Sequence, residues 1–118
     1  MPPAARQNRH LPAFLLLTLA EGPLHGHGIR AALEELLPGY KADAGATYRT
    51  LNSLEATGEV TSQWETESKG PARKVYTLTP EGWAQLDRWK VDMEQRLGYL
   101  RTFLERHARA KAKRKRAR

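Results

Sequence analysis

The chain has no cysteine among its 118 residues. That excludes a disulfide framework, a thiolate zinc site and a cysteine nucleophile. It also lacks a long apolar run. The longest stretch, Leu11–Ala20, is ten residues, and a membrane-spanning helix needs about 18 to 20, so no membrane span is expected. A secretory leader is not expected either, because Glu21-Gly22-Pro23 follows that stretch without a small-residue cleavage site. A cytoplasmic location is the expectation. Histidine is sparse: His25 and His27 lie beside glycines, His10 and His107 lie near opposite ends, and no carboxylate completes a ligand set. Neither a metal nor a cofactor is expected. Glu34 and Glu35 are adjacent and do not converge as a carboxylate pair on a helix. With no Gly-rich phosphate cradle and no nucleophile–base motif, catalytic residues are not expected and the chain does not read as an enzyme.

Acidic residues are missing from one segment in particular. Residues 106–118 hold eight basic residues and no acidic one, while the other 105 hold twelve basic and thirteen acidic, a balance of −1. The net charge of +7 therefore belongs to the tail and not to the fold. A basic tail suits nucleic acid, an acidic membrane surface or simple solubility.

What is present reads as an ordered series of elements. Residues 1–10 are polar and read as a flexible terminus. The run Phe14, Leu15, Leu16, Leu17, Leu19 is too dense for one exposed stripe and predicts a buried helix, opened by Pro12 and stopped by Gly22-Pro23. Ile29, Ala32, Leu33, Leu36 and Leu37 follow helical spacing over 26–37. Asp43 is a helix cap for a third helix over 43–57, with Tyr48, Leu51 and Leu54 on helical spacing and Gly58 closing it. The period then changes to two. Residues 60–67 and 73–78 alternate around Ser68-Lys69-Gly70-Pro71-Ala72 and predict a β-hairpin. Thr79-Pro80-Glu81 starts a last helix, expected to run to Ala108, about 40 Å. Leu86, Trp89, Met93, Leu97, Leu100 and Leu104 form a heptad-like stripe along it.

Helix, helix, helix, hairpin, long helix predicts an α+β, mainly helical fold: a winged helix-turn-helix over 11–79, a dimerisation helix over 80–108, and a basic, disordered tail over 109–118. In a winged helix the third helix enters the major groove of DNA. A hairpin that merely covers a core is the alternative, and element order does not separate the two.

Three stretches carry a resemblance: Ala20-Glu21-Gly22-Pro23-Leu24-His25-Gly26; Tyr48, Leu51, Leu54-Glu55 and Gly58; and the run from Arg73 to Gly82. Together they resemble the PadR family of transcriptional regulators, its short subfamily with a single C-terminal helix. The resemblance implies a homodimer that represses its target and releases DNA on binding a small effector. It departs from the family pattern at His27, where tyrosine is usual, at Ala46-Thr47-Tyr48 in place of Thr-Leu-Tyr, at Glu59, where the family favours an aliphatic residue, and at Ala72, where a second wing arginine is common.

On that resemblance Ala46, Thr47, Tyr48, Arg49 and Asn52 are the candidate DNA-contact positions of the third helix, and Lys69, Gly70, Arg73 and Lys74 those of the wing. Tyr48 suits a phosphate contact or a half-buried core position. Arg49 and Asn52, three apart, suit guanine and adenine edges or a solvated face. The wing cations suit phosphate contact or a charged edge that prevents aggregation. Trp64, on a strand, is expected in the core. In drug-responsive relatives a tryptophan of the long helix stacks on ligands across the dimer. That position here is Met93, with Trp89 one turn earlier, so these two are the candidate contacts for a small aromatic effector, or else plain interface packing. Three classes stay open: a dimeric sequence-specific regulator bound to double-stranded DNA, a sequence-neutral chromatin-like binder, and a winged-helix protein-interaction module.

Overall fold

The computed structural model describes residues 9–65 and 70–117. Three helices come first: α1 (Leu11–Thr18), α2 (Gly26–Leu36) and α3 (Ala44–Ala56), with a two-residue strand β1 (Leu24–His25) between α1 and α2. The hairpin strands β2 (Val60–Glu65) and β3 (Arg73–Leu78) follow, then α4 (Pro80–Arg116). The strands form one antiparallel sheet in the order β1-β3-β2.

The dense leucine run of α1 is explained by its surroundings. Leu15 and Leu16 are fully buried, as are Ile29 and Leu33 of α2, Leu51 of α3 and Val60 of β2. Burying side chains of this size is worth roughly 1.5–3 kcal/mol each, and it is what holds three short helices and a small sheet together. The helix begins at Leu11 with Pro12 in its first turn but ends at Thr18, short of Gly22-Pro23. Thr18 Oγ1 donates to the Leu15 carbonyl at 2.6 Å, which satisfies a hydroxyl that is itself buried.

The start of α3 follows the sequence closely. Asp43 has an extended backbone and its carboxylate accepts from the Ala46 N–H at 2.8 Å. Gly58 closes the helix with φ +82°, a conformation other residues rarely adopt. Thr79 caps α4 and also ties it to the turn after α3. Its hydroxyl accepts from the Gly82 N–H at 3.0 Å and lies 2.6 Å from the Gly58 carbonyl. Gly82 is buried against the Glu59 carbonyl and Leu78, so a side chain at this position would collide with both.

Two further features differ from expectation. Strand β1 was not foreseen; two residues are too few to show a period. The last helix does not stop at Ala108 but continues to Arg116, through residues expected to be disordered. Alanine, lysine and arginine are among the best helix formers, neither glycine nor proline interrupts them, and cations near a helix C-terminus are favoured by its dipole. These effects outweigh the mutual repulsion on which the disordered reading rested. No helix among the described residues is long and apolar enough to cross a membrane.

The chain divides into two compact units, Met1–Leu86 and Asp87–Arg118. The first is a winged helix-turn-helix. The second is the remainder of α4, where Asp92–Arg96 and Lys90–Glu94 pair at 2.8 and 3.3 Å along the helix and the Phe103 and His107 rings stack at 6.1 Å.

Candidate nucleic-acid interface

Helix α3 has two faces. Thr47, Leu51 and Leu54 are buried, while Tyr48, Arg49, Asn52 and Ser53 are exposed. The helical period alone produces this division, since positions 47, 51 and 54 share one side. The Thr47 side chain therefore does not reach solvent, which removes it from the outward-facing set. Its hydroxyl donates to the Asp43 carbonyl at 2.7 Å, inside the helix and away from solvent. Ala46 is only partly exposed, and its N–H is taken by the Asp43 cap. Tyr48, Arg49 and Asn52 remain as the outward-facing set.

The hairpin stands beside that exposed face. Ser62 Oγ donates to Glu55 Oε2 at 2.6 Å, which fixes β2 to α3. Val60, Ser62 and Trp64 point to one face of the ribbon with their cross-strand partners Leu78, Tyr76 and Lys74. At the base of the ribbon this face covers the core: Val60 and Tyr76 are buried. Further out the strands outrun the helical layer, and Trp64 is left 60% exposed. The expectation of a core Trp64 is thus corrected. Period two does put it on the core-facing side, but the core ends before the strand does. The Lys74 ammonium sits 5.7 Å from the centre of its ring, a cation–π contact across the strands.

Between α3 and the hairpin lies an open cavity of about 630 Å³, lined by residues that include Tyr48, Asn52, Trp64, Arg73, Lys74 and Tyr76. The structure thus brings together four of the expected site residues, two from the helix and two from the wing. Gly70 is exposed at the wing with φ +131°; Lys69 lies outside the described residues. His25 and His27, at the start of α2, also line the cavity. The His25 Nε2–H donates to Glu65 Oε2 at 2.8 Å, bridging from β1 to the end of β2. Gly26 permits the close approach of α2 and α3, because a Cβ there would run into the Tyr48 ring and hydroxyl. The Tyr76 hydroxyl is pushed above its ordinary pKa, first by burial and then by the Glu55 carboxylate and Tyr48.

A groove of this kind, bounded by cations and amide or hydroxyl donors, suits a polyanionic strand. Residues 15–88 match the family model described as the transcriptional regulator PadR-like family. The chain belongs to the PadR-like family of transcriptional regulators. The transcriptional regulator Rv3488 of Mycobacterium tuberculosis is 34% identical over 76 residues, covering 64% of this chain and 68% of that protein. An uncharacterized 37.1 kDa protein of transposon TN4556 from Streptomyces fradiae is 40% identical over 75 residues, covering 64% of this chain. The Bacillus subtilis PadR, solved in complex with operator DNA, superposes with a TM-score of 0.62 at 29% identity over 69% of this chain. This chain spans 20% of the length of the Streptomyces protein and 47% of that of the Bacillus PadR chain. Members of this family are regulators of transcription and not enzymes, in keeping with the lack of a catalytic motif.

Along α4 the expected stripe divides. Leu86, Trp89 and Met93 are partly exposed, and Leu97, Leu100 and Leu104 are 52, 61 and 65% exposed. Tyr99 and Phe103, which are not part of the stripe, are more than half exposed as well.

Proposed function

We propose that the chain is a homodimeric, sequence-specific DNA-binding regulator that represses its target gene and is released by a flat apolar effector. The observation that carries DNA binding is the groove between α3 and the hairpin, where Tyr48 and Asn52 face Trp64, Arg73 and Lys74. In this reading Arg49 and Asn52 meet base edges in the major groove. Tyr48, Arg73, Lys74 and the wing tip, Lys69 and Gly70, contact the sugar–phosphate strand beside it. Trp64 joins that set, its ring against deoxyribose and its N–H toward a phosphate. The likeness to Bacillus PadR, solved in complex with operator DNA, supports the DNA-binding reading.

Homodimerisation is supported by the apolar stripe of α4. A run of large apolar side chains this exposed in one chain is an association surface. The stripe comprises Leu86, Trp89, Met93, Leu97, Leu100 and Leu104, and the effector lies near Trp89 and Met93, where aromatic and sulfur groups suit a planar apolar molecule.

The test is competition between a selected duplex and random duplexes over a salt series. A sequence-specific regulator prefers its site by about 10³-fold or more at physiological salt. Equal affinity for both would identify a sequence-neutral binder, and no binding even at low salt would identify an interaction module.

A further inference from the structure

The last turns of α4 are a helix with cations and no acids. Arg106, Arg109, Lys111, Lys113, Arg114, Lys115 and Arg116 are all exposed and helical. At about 100° per residue, Arg106, Arg109, Lys113 and Arg116 fall within an arc of about 80° and span about 15 Å of helix. The same rotation puts Leu97, Leu100 and Leu104 on the opposite side, and Lys111 and Lys115 continue that apolar side. The helix thus changes character at Arg106. Its apolar stripe ends, and a cationic stripe begins on the other face.

We infer that this segment is a preformed helical arm that binds the phosphate backbone of duplex DNA independently of sequence, through Arg109, Lys113 and Arg116 with Arg106. The inference rests on the DNA-binding reading above and adds a second contact surface on a different element. Three observations select the partner. Seven cations without an acid complement a polyanion. From Arg106 onward no apolar residue larger than alanine occurs, so the arm lacks the apolar face by which a helix lies in a membrane surface. The arm is also covalently continuous with a winged helix whose own charge is close to neutral, so the chain's net positive charge sits at the end of α4. A helix already formed loses less conformational freedom on binding than a coil does. Each phosphate contact releases condensed counterions and steepens the salt dependence.

The experiment compares four full-length or truncated proteins on one random-sequence duplex over a salt series. They are the intact chain, a chain ending at Ala108, a triple variant Arg109→Gln, Lys113→Gln, Arg116→Gln, and a triple variant Lys111→Gln, Arg114→Gln, Lys115→Gln. The two triples remove equal charge from opposite faces. The log–log slope of affinity against salt should flatten by about 0.9 for each phosphate contact removed. Flattening is expected for the truncated chain and the first triple, with a distinctly smaller change for the second. Equal slopes for intact and truncated chains would overturn the inference. So would equal losses for the two triples, which is the behaviour of a disordered charge cloud. An intact chain that binds phosphatidylserine vesicles as tightly as DNA would overturn the choice of partner. An intact chain that binds no duplex at low salt would instead defeat the underlying DNA reading.

Discussion

The proposed interface divides, residue by residue, into side chains expected to read sequence and side chains expected to hold the duplex. Arg49→Ala or Asn52→Ala should cost on the order of 1–3 kcal/mol of binding and relax preference at particular base pairs. Arg73→Ala, Lys74→Ala and Trp64→Ala should weaken all duplexes evenly and leave the preferred sequence unchanged. Binding-site selection on each variant separates the two behaviours, and an altered consensus from Trp64→Ala would contradict its assignment to the backbone. Gly82→Ala should lower stability by about 1–3 kcal/mol, as overpacking does, because the added methyl meets the Glu59 carbonyl and Leu78. An unchanged denaturation midpoint would show that α4 can shift away from this contact. At this scale the sequence was legible where one period governs. The outward placement of Arg49 and Asn52 follows from the helical spacing of Leu51 and Leu54, whereas Tyr48, read on the same spacing as those leucines, turns out exposed. Thr47 was misplaced because a threonine is not read as apolar, yet its hydroxyl is satisfied by its own helix and its methyl packs inside. Trp64 was misplaced because period two tells which face a residue shares and not where the core beneath that face ends.

The elements carry separate duties. Helix α3 and the hairpin are fixed to each other by Ser62–Glu55 and by the Glu59 N–H bond to the Leu54 carbonyl, and His25–Glu65 ties the far end of β2 to β1. In the proposed dimer, helix α4 is the association surface. Leu97→Asp should give monomers by sedimentation and abolish tight DNA binding, since a charge on the stripe would be desolvated in the dimer. A dimer of unchanged affinity would place the interface elsewhere. Titrating planar aromatic compounds should quench tryptophan fluorescence and weaken DNA binding. Quenching that persists unaltered in Trp89→Phe would put the effector away from α4. The elements themselves were legible because capping and period agree: Asp43 and Gly58 bound α3, and Thr79-Pro80 opens α4. The end of α4 was not. Charge repulsion and helix propensity oppose each other there, and composition gives no balance between them. Strand β1 exists only through its pairing with Val75 and Tyr76, a long-range contact that a two-residue segment does not announce.

In the whole molecule as proposed, two winged helices act together through α4. One groove with two base-reading side chains specifies little DNA. Two grooves related by a two-fold axis double the contacts and require two half-sites in inverted order, about one helical turn or a multiple of it apart. The proposed basic arms would add sequence-neutral affinity without altering that symmetry. Selection of binding sites from a pool of random duplexes by the intact protein tests this most directly. The expected result is enrichment of an inverted repeat with a fixed spacing near 10 base pairs or a multiple of that, bound by two chains. Recovery of a single asymmetric site bound by one chain, or of no consensus at all, would contradict it.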